Sequence, residues 1–362
     1  QLLIKKIILK KKIKRKMTFR IALTADFQKD GKFVFPDFDL EQLKKTRGIE
    51  FDFFNEHKPE IHPEQLEQYQ GVIVMSPKVT KFSLSESYNF LIICRFGVGY
   101  DGVDVTACTE SDVVLCVTAG AVDRPVAEAT VGWMIALGHR MINKDQLVRK
   151  GLWYQSSQYM GCELRDKTLG VVGLGGIGSS VIELLKGFGM KKTLVYDPFI
   201  DENKAKELNV NKVELDELMQ QSDFITVHCP LNKDTRDLIS YRELSLMKSS
   251  SFIINTARGG IINEDALFES LSKNYIAGAA LDCFDNEPII EPHRFGELEN
   301  VLLAPHSIAW TQELFRDMGK ICTKNMIDIS NGIRPNGIVN PEVFDRPSFK
   351  KKWDNLIVNK IK

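Results

Sequence analysis

The stretch Gly173-Leu174-Gly175-Gly176-Ile177-Gly178 limits this chain more than any other feature. It lies between an apolar strand pattern, Leu169 to Val172, and a helix pattern, Ser179 to Gly189, and an acid, Asp197, follows the next apolar run, Thr193 to Tyr196. Gly173 permits a sharp strand-to-helix turn. Gly175 lets a pyrophosphate approach bare backbone, and Gly178 lets the helix lie close on the sheet. The helix start offers unpaired N–H groups and the positive end of the helix dipole. Asp197 is placed to accept hydrogen bonds from ribose hydroxyls and to repel a 2′-phosphate, so the pattern predicts NAD rather than NADP. A glycine pattern alone is weak. The strand before it, the helix after it and the acid at the right distance together make it a dinucleotide site.

Length favours two domains, each with its own core. The formal net charge is zero, but residues 1–16 carry eight Lys/Arg and no acid, so the remaining 40 bases face all 48 acids. An acidic body argues against nucleic acid as the main partner. The leader has three readings: a targeting peptide (although it is rich in Lys and Ile rather than Arg and Ser), a basic membrane-surface arm, or a translated segment outside the fold. The third is favoured, with Met17 the true start. No apolar run approaches the length of a membrane span. Seven cysteines, an odd number without C-x-x-C spacing, fit reduced thiols in the cytoplasm, and no cluster has metal-ligand spacing, so no metal is expected.

Short β runs alternate with helices twice along the chain. The first set is Arg20–Thr24, Ile49–Phe54, Gly71–Met75, Leu91–Cys94 and Val113–Val117, with a helix over Asp39–Lys45. A long helix over Pro125–Met141 follows, and then a polar amphipathic stretch to Trp153. The second set is Leu169–Val172, Thr193–Tyr196, Phe224–Val227, Phe252–Asn255, Ala277–Leu281 and Val301–Ala304. Such alternation predicts an α/β fold of two Rossmann-like parallel-sheet domains. The second set completes a sheet before the last long helix, Thr311–Ser330, which is therefore expected to return to the first domain. The expected layout is a leader at 1–16, a flavodoxin-like substrate domain over 17–120 with a return at 309–346, an inserted NAD-binding domain at 121–308, and a tail at 347–362. In the tail the Lys350–Lys352 run reads as solvated surface. Two domains of this kind flank a cleft, where ligands usually bind.

Ligands of open α/β sheets bind outside the carboxyl ends of the strands. There the second set carries His228-Cys229-Pro230, Asn255-Thr256-Ala257-Arg258-Gly259-Gly260, Asp282 with Glu287-Pro288, and Pro305-His306. Taken singly, Arg258 reads equally as a surface ion pair, Glu287 as a loop carboxylate and His306 as a turn histidine. Taken together downstream of the glycine turn, they read as a catalytic set. Among the other histidines, His57, His62 and His293 are expected in solvent. His139 lies near a helix end, and His228 is structural or cofactor-adjacent.

These pieces resemble the D-isomer-specific 2-hydroxyacid dehydrogenase family. The resemblance runs in family order from about residue 91 to 310: Phe96-Gly97-Val98-Gly99-Tyr100-Asp101, Val126-Ala127-Glu128, the glycine turn, Pro230-Leu231 with Thr235, Asn255 to Gly259, Ala280-Leu281-Asp282 with Glu287-Pro288, and Pro305-His306. It implies reversible hydride transfer between NAD and a 2-hydroxy acid/2-oxo acid pair, and a catalytic trio of Arg258, Glu287 and His306. An imidazole titrates near neutrality and can hand a proton to a forming alkoxide. A carboxylate beside it orients the ring, and a guanidinium clamps a carboxylate bidentately. The resemblance also implies cofactor contacts from Gly173, Gly175, Gly176, Ile177, Gly178, Asp197, Cys229, Pro230, Thr235, Thr256, Ala257, Arg258, Asp282 and His306, with Asp282 on the nicotinamide carboxamide. Substrate contacts fall to the N–H groups of Val98 and Gly99, to Arg258, and to Arg95 if the substrate is phosphorylated. Trp310 either walls the substrate pocket or packs at the hinge. Family members often carry Asn where Val122 stands, and formate dehydrogenases carry Gln where Glu287 stands, which disfavours formate. A homodimer is implied, with the Pro125–Met141 helix, Trp133 and Met134 included, at its interface. The competing readings are an NAD(H)-sensing corepressor-like protein on the same scaffold and a Rossmann enzyme of other chemistry. The latter leaves Arg258, Glu287 and His306 unexplained.

Overall fold

The computed structural model describes residues 18–35 and 37–357. The basic leader, Met17 as a start, and the last five positions of the expected tail lie outside the described residues. The chain divides into two compact units. One holds the residues up to Val122 and those from Thr311 onward; the other is Asp123–Trp310. These edges fall two residues later than 121 and 308.

In the first unit, β1 (Phe19–Leu23), β4 (Ile49–Phe53), β5 (Gly71–Val74), β6 (Ile92–Arg95) and β7 (Val114–Val117) form a wholly parallel sheet in the order β4-β1-β5-β6-β7. Numbered within the sheet this is 2-1-3-4-5, the flavodoxin-like order. A two-stranded ribbon, β2 (Gln28–Lys29) with β3 (Lys32–Phe33), is an addition that the sequence patterns missed. Val72, Val74, Ile93 and Leu115 pack one core with Leu66, Phe90 and Cys108. A separate aromatic cluster joins Phe27, Phe33, Phe35, Phe38 and Phe96 to Phe315 of the helix Gln312–Ser330, with Phe35 and Phe315 centroids 4.5 Å apart. That helix does return to the first unit. It begins at the cap Thr311, whose hydroxyl accepts from the Leu314 N–H.

Residues 347–356 are not a loose tail. Pro347–Leu356 is a helix that starts on a proline, where the missing N–H costs nothing. It buries Phe349 against Phe344 and Trp353. Lys350 and Lys351 are exposed as expected, but Lys352 turns inward and donates to the carbonyls of Ser111 and Asp112. Burial lowers its pKa to about 8.

The second unit contains β8 (Thr168–Val172), β9 (Lys192–Tyr196), β10 (Asn211–Lys212), β11 (Phe224–Val227), β12 (Phe252–Asn255), β13 (Gly278–Leu281) and β14 (Val301–Leu303), in the order β10-β9-β8-β11-β12-β13-β14. All pairings are parallel. This is the doubly wound order, with a reversal between β8 and β11 where nucleotides bind. The edge strand β10 is two exposed residues long and has no apolar signature. Alternate side chains serve opposite faces. Leu169, Val171, Phe224, Phe252 and Ile254 enter one core, whereas Val172, Ile225, Val227 and Ile253 enter the other.

The long helix runs from Asp123 to Gly138, and a second, Met141–Arg149, follows a left-handed residue, Arg140. Pro125 is the third helical residue rather than the first, still within the turn whose N–H groups have no partner. Met134 and Trp133 are buried in the core of this unit. Among the described residues no helix is long and apolar enough to cross a membrane. Replacing Phe349 by Ala is expected to cost about 3–5 kcal/mol, read from the denaturant midpoint. An unchanged midpoint would contradict the packing of the C-terminal helix.

Candidate active site

The glycine turn leaves the end of β8 with Gly173 at φ +92°. A Cβ there would meet the Cys229 N at 2.7 Å, so the turn passes directly against the end of β11. Gly175 caps the helix Gly176–Leu185 and is the opposite case: nothing lies within 4 Å of the position its Cβ would take. Bare backbone at a helix N-terminus facing open space is a cradle fit for a pyrophosphate. A Cβ on Gly178 would sit 2.5 Å from the Gly173 carbonyl, the close helix–strand approach read from the sequence. Gly176 faces the carboxylate of Asp123, a neighbour with no sequence signal. Ile177 lies in the first turn of the helix. Asp197 follows β9, its Oδ2 accepting from the Leu174 N–H at 2.7 Å and its Oδ1 from the Phe199 N–H at 2.8 Å. The carboxylate is thus fixed beside the turn, with lone pairs left for a ribose.

Beyond β11, His228 places Nε2 2.9 Å from Thr226 Oγ1, while its buried Nδ1 has no partner. Burial pushes this imidazole down to about 3, so it is neutral and no proton donor. Burial likewise raises the Cys229 thiol to about 11. The Thr235 hydroxyl donates to the Pro230 carbonyl at 2.6 Å and closes the loop between them. Thr256 is buried, its hydroxyl 3.3 Å from that of Thr130. The structure therefore gathers the turn, Asp197, Cys229 and Pro230 around the switch point of the sheet. An orphaned polar atom of His228 lies next in the chain, and this combination fits a dinucleotide.

Arg258 lies one loop past β12. Asn255, quoted in the sequence only as part of a motif, builds that loop. Its Oδ1 accepts from the Ala257 N–H at 3.0 Å and its Nδ2 donates to the Arg258 carbonyl at 2.8 Å. The Arg258 guanidinium donates to the Ala257 carbonyl at 2.6 Å. Gly259 packs so closely on Phe284 that no side chain fits, which ties this loop to the one carrying Glu287.

Glu287 and His306 meet. His306 Nδ1 lies 2.7 Å from Glu287 Oε2, and Glu287 Oε1 accepts from the Phe284 N–H at 2.8 Å. Burial acting alone would raise the Glu287 pKa. The hydrogen bond and charge of His306, the Phe284 N–H and the charge of Arg258 outweigh it and hold the carboxyl below its ordinary value. His306 itself has a left-handed backbone (φ 52°), and Asp282 holds its loop. The Asp282 carbonyl accepts from the His306 N–H at 2.8 Å, and its Oδ1 accepts from the N–H groups of Ser307 (2.8 Å) and Ile308 (3.1 Å). Burial raises the Asp282 pKa despite those bonds. At least half of this carboxylate is thus occupied in placing the histidine, a task the sequence did not reveal. Trp310 is 62% exposed. His293, expected in solvent, instead stacks on Phe295 and packs at a tilt against Phe284. His57 and His139 are exposed.

In the first unit, Arg95 ends β6 and its guanidinium donates to the Phe96 carbonyl. Gly97, at φ +133°, exchanges hydrogen bonds with buried Thr118, its N–H donating to Oγ1 at 3.1 Å and its carbonyl accepting from the Thr118 N–H at 3.0 Å. Val98 and Gly99 follow this anchored point.

A doubly wound sheet, a glycine turn and a histidine–carboxylate pair at the strand ends define a nicotinamide-dependent oxidoreductase. The family model described as "D-isomer specific 2-hydroxyacid dehydrogenase, NAD binding domain" matches residues 131–307. The chain is 34% identical over 279 residues to a glyoxylate reductase of Thermococcus litoralis, covering 75% of this chain and 84% of that protein. It is 33% identical over 312 residues to a D-3-phosphoglycerate dehydrogenase of Archaeoglobus fulgidus, covering 86% of this chain and 59% of that protein. A crystal structure of a Pyrococcus horikoshii protein superposes with a TM-score of 0.77 at 26% identity, covering 95% of this chain and all of that one. The chain belongs to the D-isomer-specific 2-hydroxyacid dehydrogenase family. It is an NAD-dependent oxidoreductase.

Gly175→Ala is expected to leave thermal unfolding unchanged and to weaken NADH binding by about tenfold, ~1.4 kcal/mol, in a fluorescence titration. Gly178→Ala is expected to lower the melting temperature. Equal NADH affinity in Gly175→Ala would remove the pyrophosphate from the turn.

Proposed function

We propose that the chain interconverts a D-2-hydroxy acid and its 2-oxo acid, with His306 as acid and base, Glu287 tuning it and Arg258 binding the substrate carboxylate. The observation that carries this reading is the 2.7 Å pair of His306 Nδ1 and Glu287 Oε2, within reach of the Arg258 charge. Bound NAD supplies the hydride acceptor, or donor in reduced form. With Nδ1 engaged by Glu287, Nε2 is the ring nitrogen left to give a proton to the carbonyl oxygen as it becomes an alkoxide. Glu287 keeps the ring oriented and balances the imidazolium charge. Arg258 holds the carboxylate with two parallel N–H bonds and polarises the carbonyl. Asp282 positions His306 through the 307–308 backbone, and its second oxygen is proposed to meet the carboxamide. Val98 and Gly99, next to the anchored Gly97, are proposed as anion-binding N–H groups of the first unit. Glyoxylate and hydroxypyruvate are the first substrates to try, and Arg95 keeps a phosphorylated acid among them.

A homodimer remains the proposed assembly, with the Pro125–Met141 helix at its interface and the exposed apolar residues of the next segment extending it. Met141, Ile142, Val148, Trp153, Tyr154 and Met160 are all exposed, an apolar run that soluble monomers rarely leave open. The cytoplasm is the proposed compartment, since all seven cysteines are free thiols.

A panel of 2-oxo acids with NADH is expected to give turnover, read as loss of nicotinamide absorbance. Binding of NADH with no turnover on any acid would favour the sensor reading. His306→Ala should lower kcat/KM by about 10²–10⁴-fold, and near-normal turnover would overturn its role. The Glu287 carboxyl is depressed, so the pair persists down to that lowered pKa and is lost as pH falls through it. Reduction should therefore fall on the acid side in the wild type. Glu287→Gln should lose that acid limb, because an amide does not titrate. An unmoved profile would contradict the pairing. Asp197→Ala is expected to relax the preference for NADH over NADPH, and unchanged discrimination would sink that assignment.

A further inference from the structure

We propose that Cys283, Glu287 and His306 form a binding site for a thiophilic divalent cation, Zn²⁺ first among them, whose occupancy switches the enzyme off. The three residues offer one sulfur, one carboxylate oxygen and one ring nitrogen, all within 4.8 Å of one another. Zinc takes such ligands at about 2.0–2.3 Å in a tetrahedron, so ligand atoms around one ion lie about 3–4 Å apart.

The fold explains the juxtaposition. Cys283 is the second residue past β13, directly after Asp282, and Asp282 ties the His306 loop back to this strand end through three hydrogen bonds. The Cys283 Sγ donates to the Ala257 carbonyl over 3.4 Å. Cys283 is buried, whereas the Glu287 and His306 side chains are 33% and 44% exposed, so a cation enters from their side with the thiol as its inner ligand. Three protein ligands leave the fourth position to water. The thiol disfavours Mg²⁺ and Ca²⁺, which prefer oxygen.

On binding, the Cys283 thiol releases its proton to solvent, and a protonated His306 releases its own as the ring donates a lone pair to the ion. No electrons are transferred. A His306 bound through Nδ1, the nitrogen that faces Glu287, is held as the neutral ring; its remaining Nε2–H is too weak an acid to protonate the forming alkoxide, and Glu287 no longer orients it. The inhibition therefore rests on the proton-donor reading above, whereas binding of the ion does not.

The test uses the full chain, freed of metal and NAD. Titration with Co²⁺ is expected to give a near-ultraviolet thiolate-to-cobalt band at about one equivalent, displaced by Zn²⁺ and missing in both Cys283→Ser and Cys283→Ala. In steady-state assays Zn²⁺ should inhibit the wild type, with recovery on chelation. Both variants should turn over like the wild type and need about tenfold more Zn²⁺, or beyond, for the same inhibition. A band that survives both substitutions, or no band at saturating Co²⁺, overturns the site. A Cys283-dependent band in a chain inert toward every 2-oxo acid supports the site and counts against the dehydrogenase reading. Full turnover with the band saturated overturns the switch.

Discussion

A carboxylate held against one nitrogen of an imidazole gives the two groups properties that neither has alone. Glu287 spends one oxygen on the Phe284 N–H and the other on His306 Nδ1, which fixes its own direction and that of the ring. Its partial burial would favour the neutral acid, yet the neighbouring positive groups keep it ionised. Two other polar residues at the strand ends support this pair. Asp282 holds the backbone on one side of it, and Asn255 shapes the loop that brings the Arg258 charge to the other.

The glycine turn imposes the second constraint, and its glycines differ in kind. Gly173 and Gly178 are required by neighbouring protein atoms, while Gly175 faces nothing in the protein. A glycine that packing does not require is a stronger pointer to a ligand than one that it does. The same contrast separates the histidines: His228 and His306 both follow strand ends, but burial keeps His228 neutral, and only His306 meets a carboxylate.

The parallel sheets were legible because strands buried on both faces read as apolar runs, and the turn was legible because Gly173 needs a positive φ. Arg258, Glu287 and His306 stood out because polar residues at strand ends are exceptions within an apolar pattern. What stayed hidden depends on distant chain segments. β10 is too short and too exposed to leave a signal. The Phe27–Phe315 cluster draws its rings from separate segments, and no local periodicity marks it. His293 and Lys352 sit in polar stretches, but their partners arrive from elsewhere in the fold. Trp133 and Met134 show only an apolar helix face in the sequence, and the position of the sheet is what takes them into a core.

The tautomer of His306 tests the central pairing most directly. Histidine-selective ¹⁵N NMR across a pH titration, with Glu287→Gln for assignment, reads which nitrogen keeps its proton in the neutral ring. The expected result is a proton on Nδ1, shared with Glu287, and Nε2 as the site that gains and loses one. A neutral ring protonated on Nε2, unaltered by Glu287→Gln, would contradict the pairing on which the proposed chemistry rests.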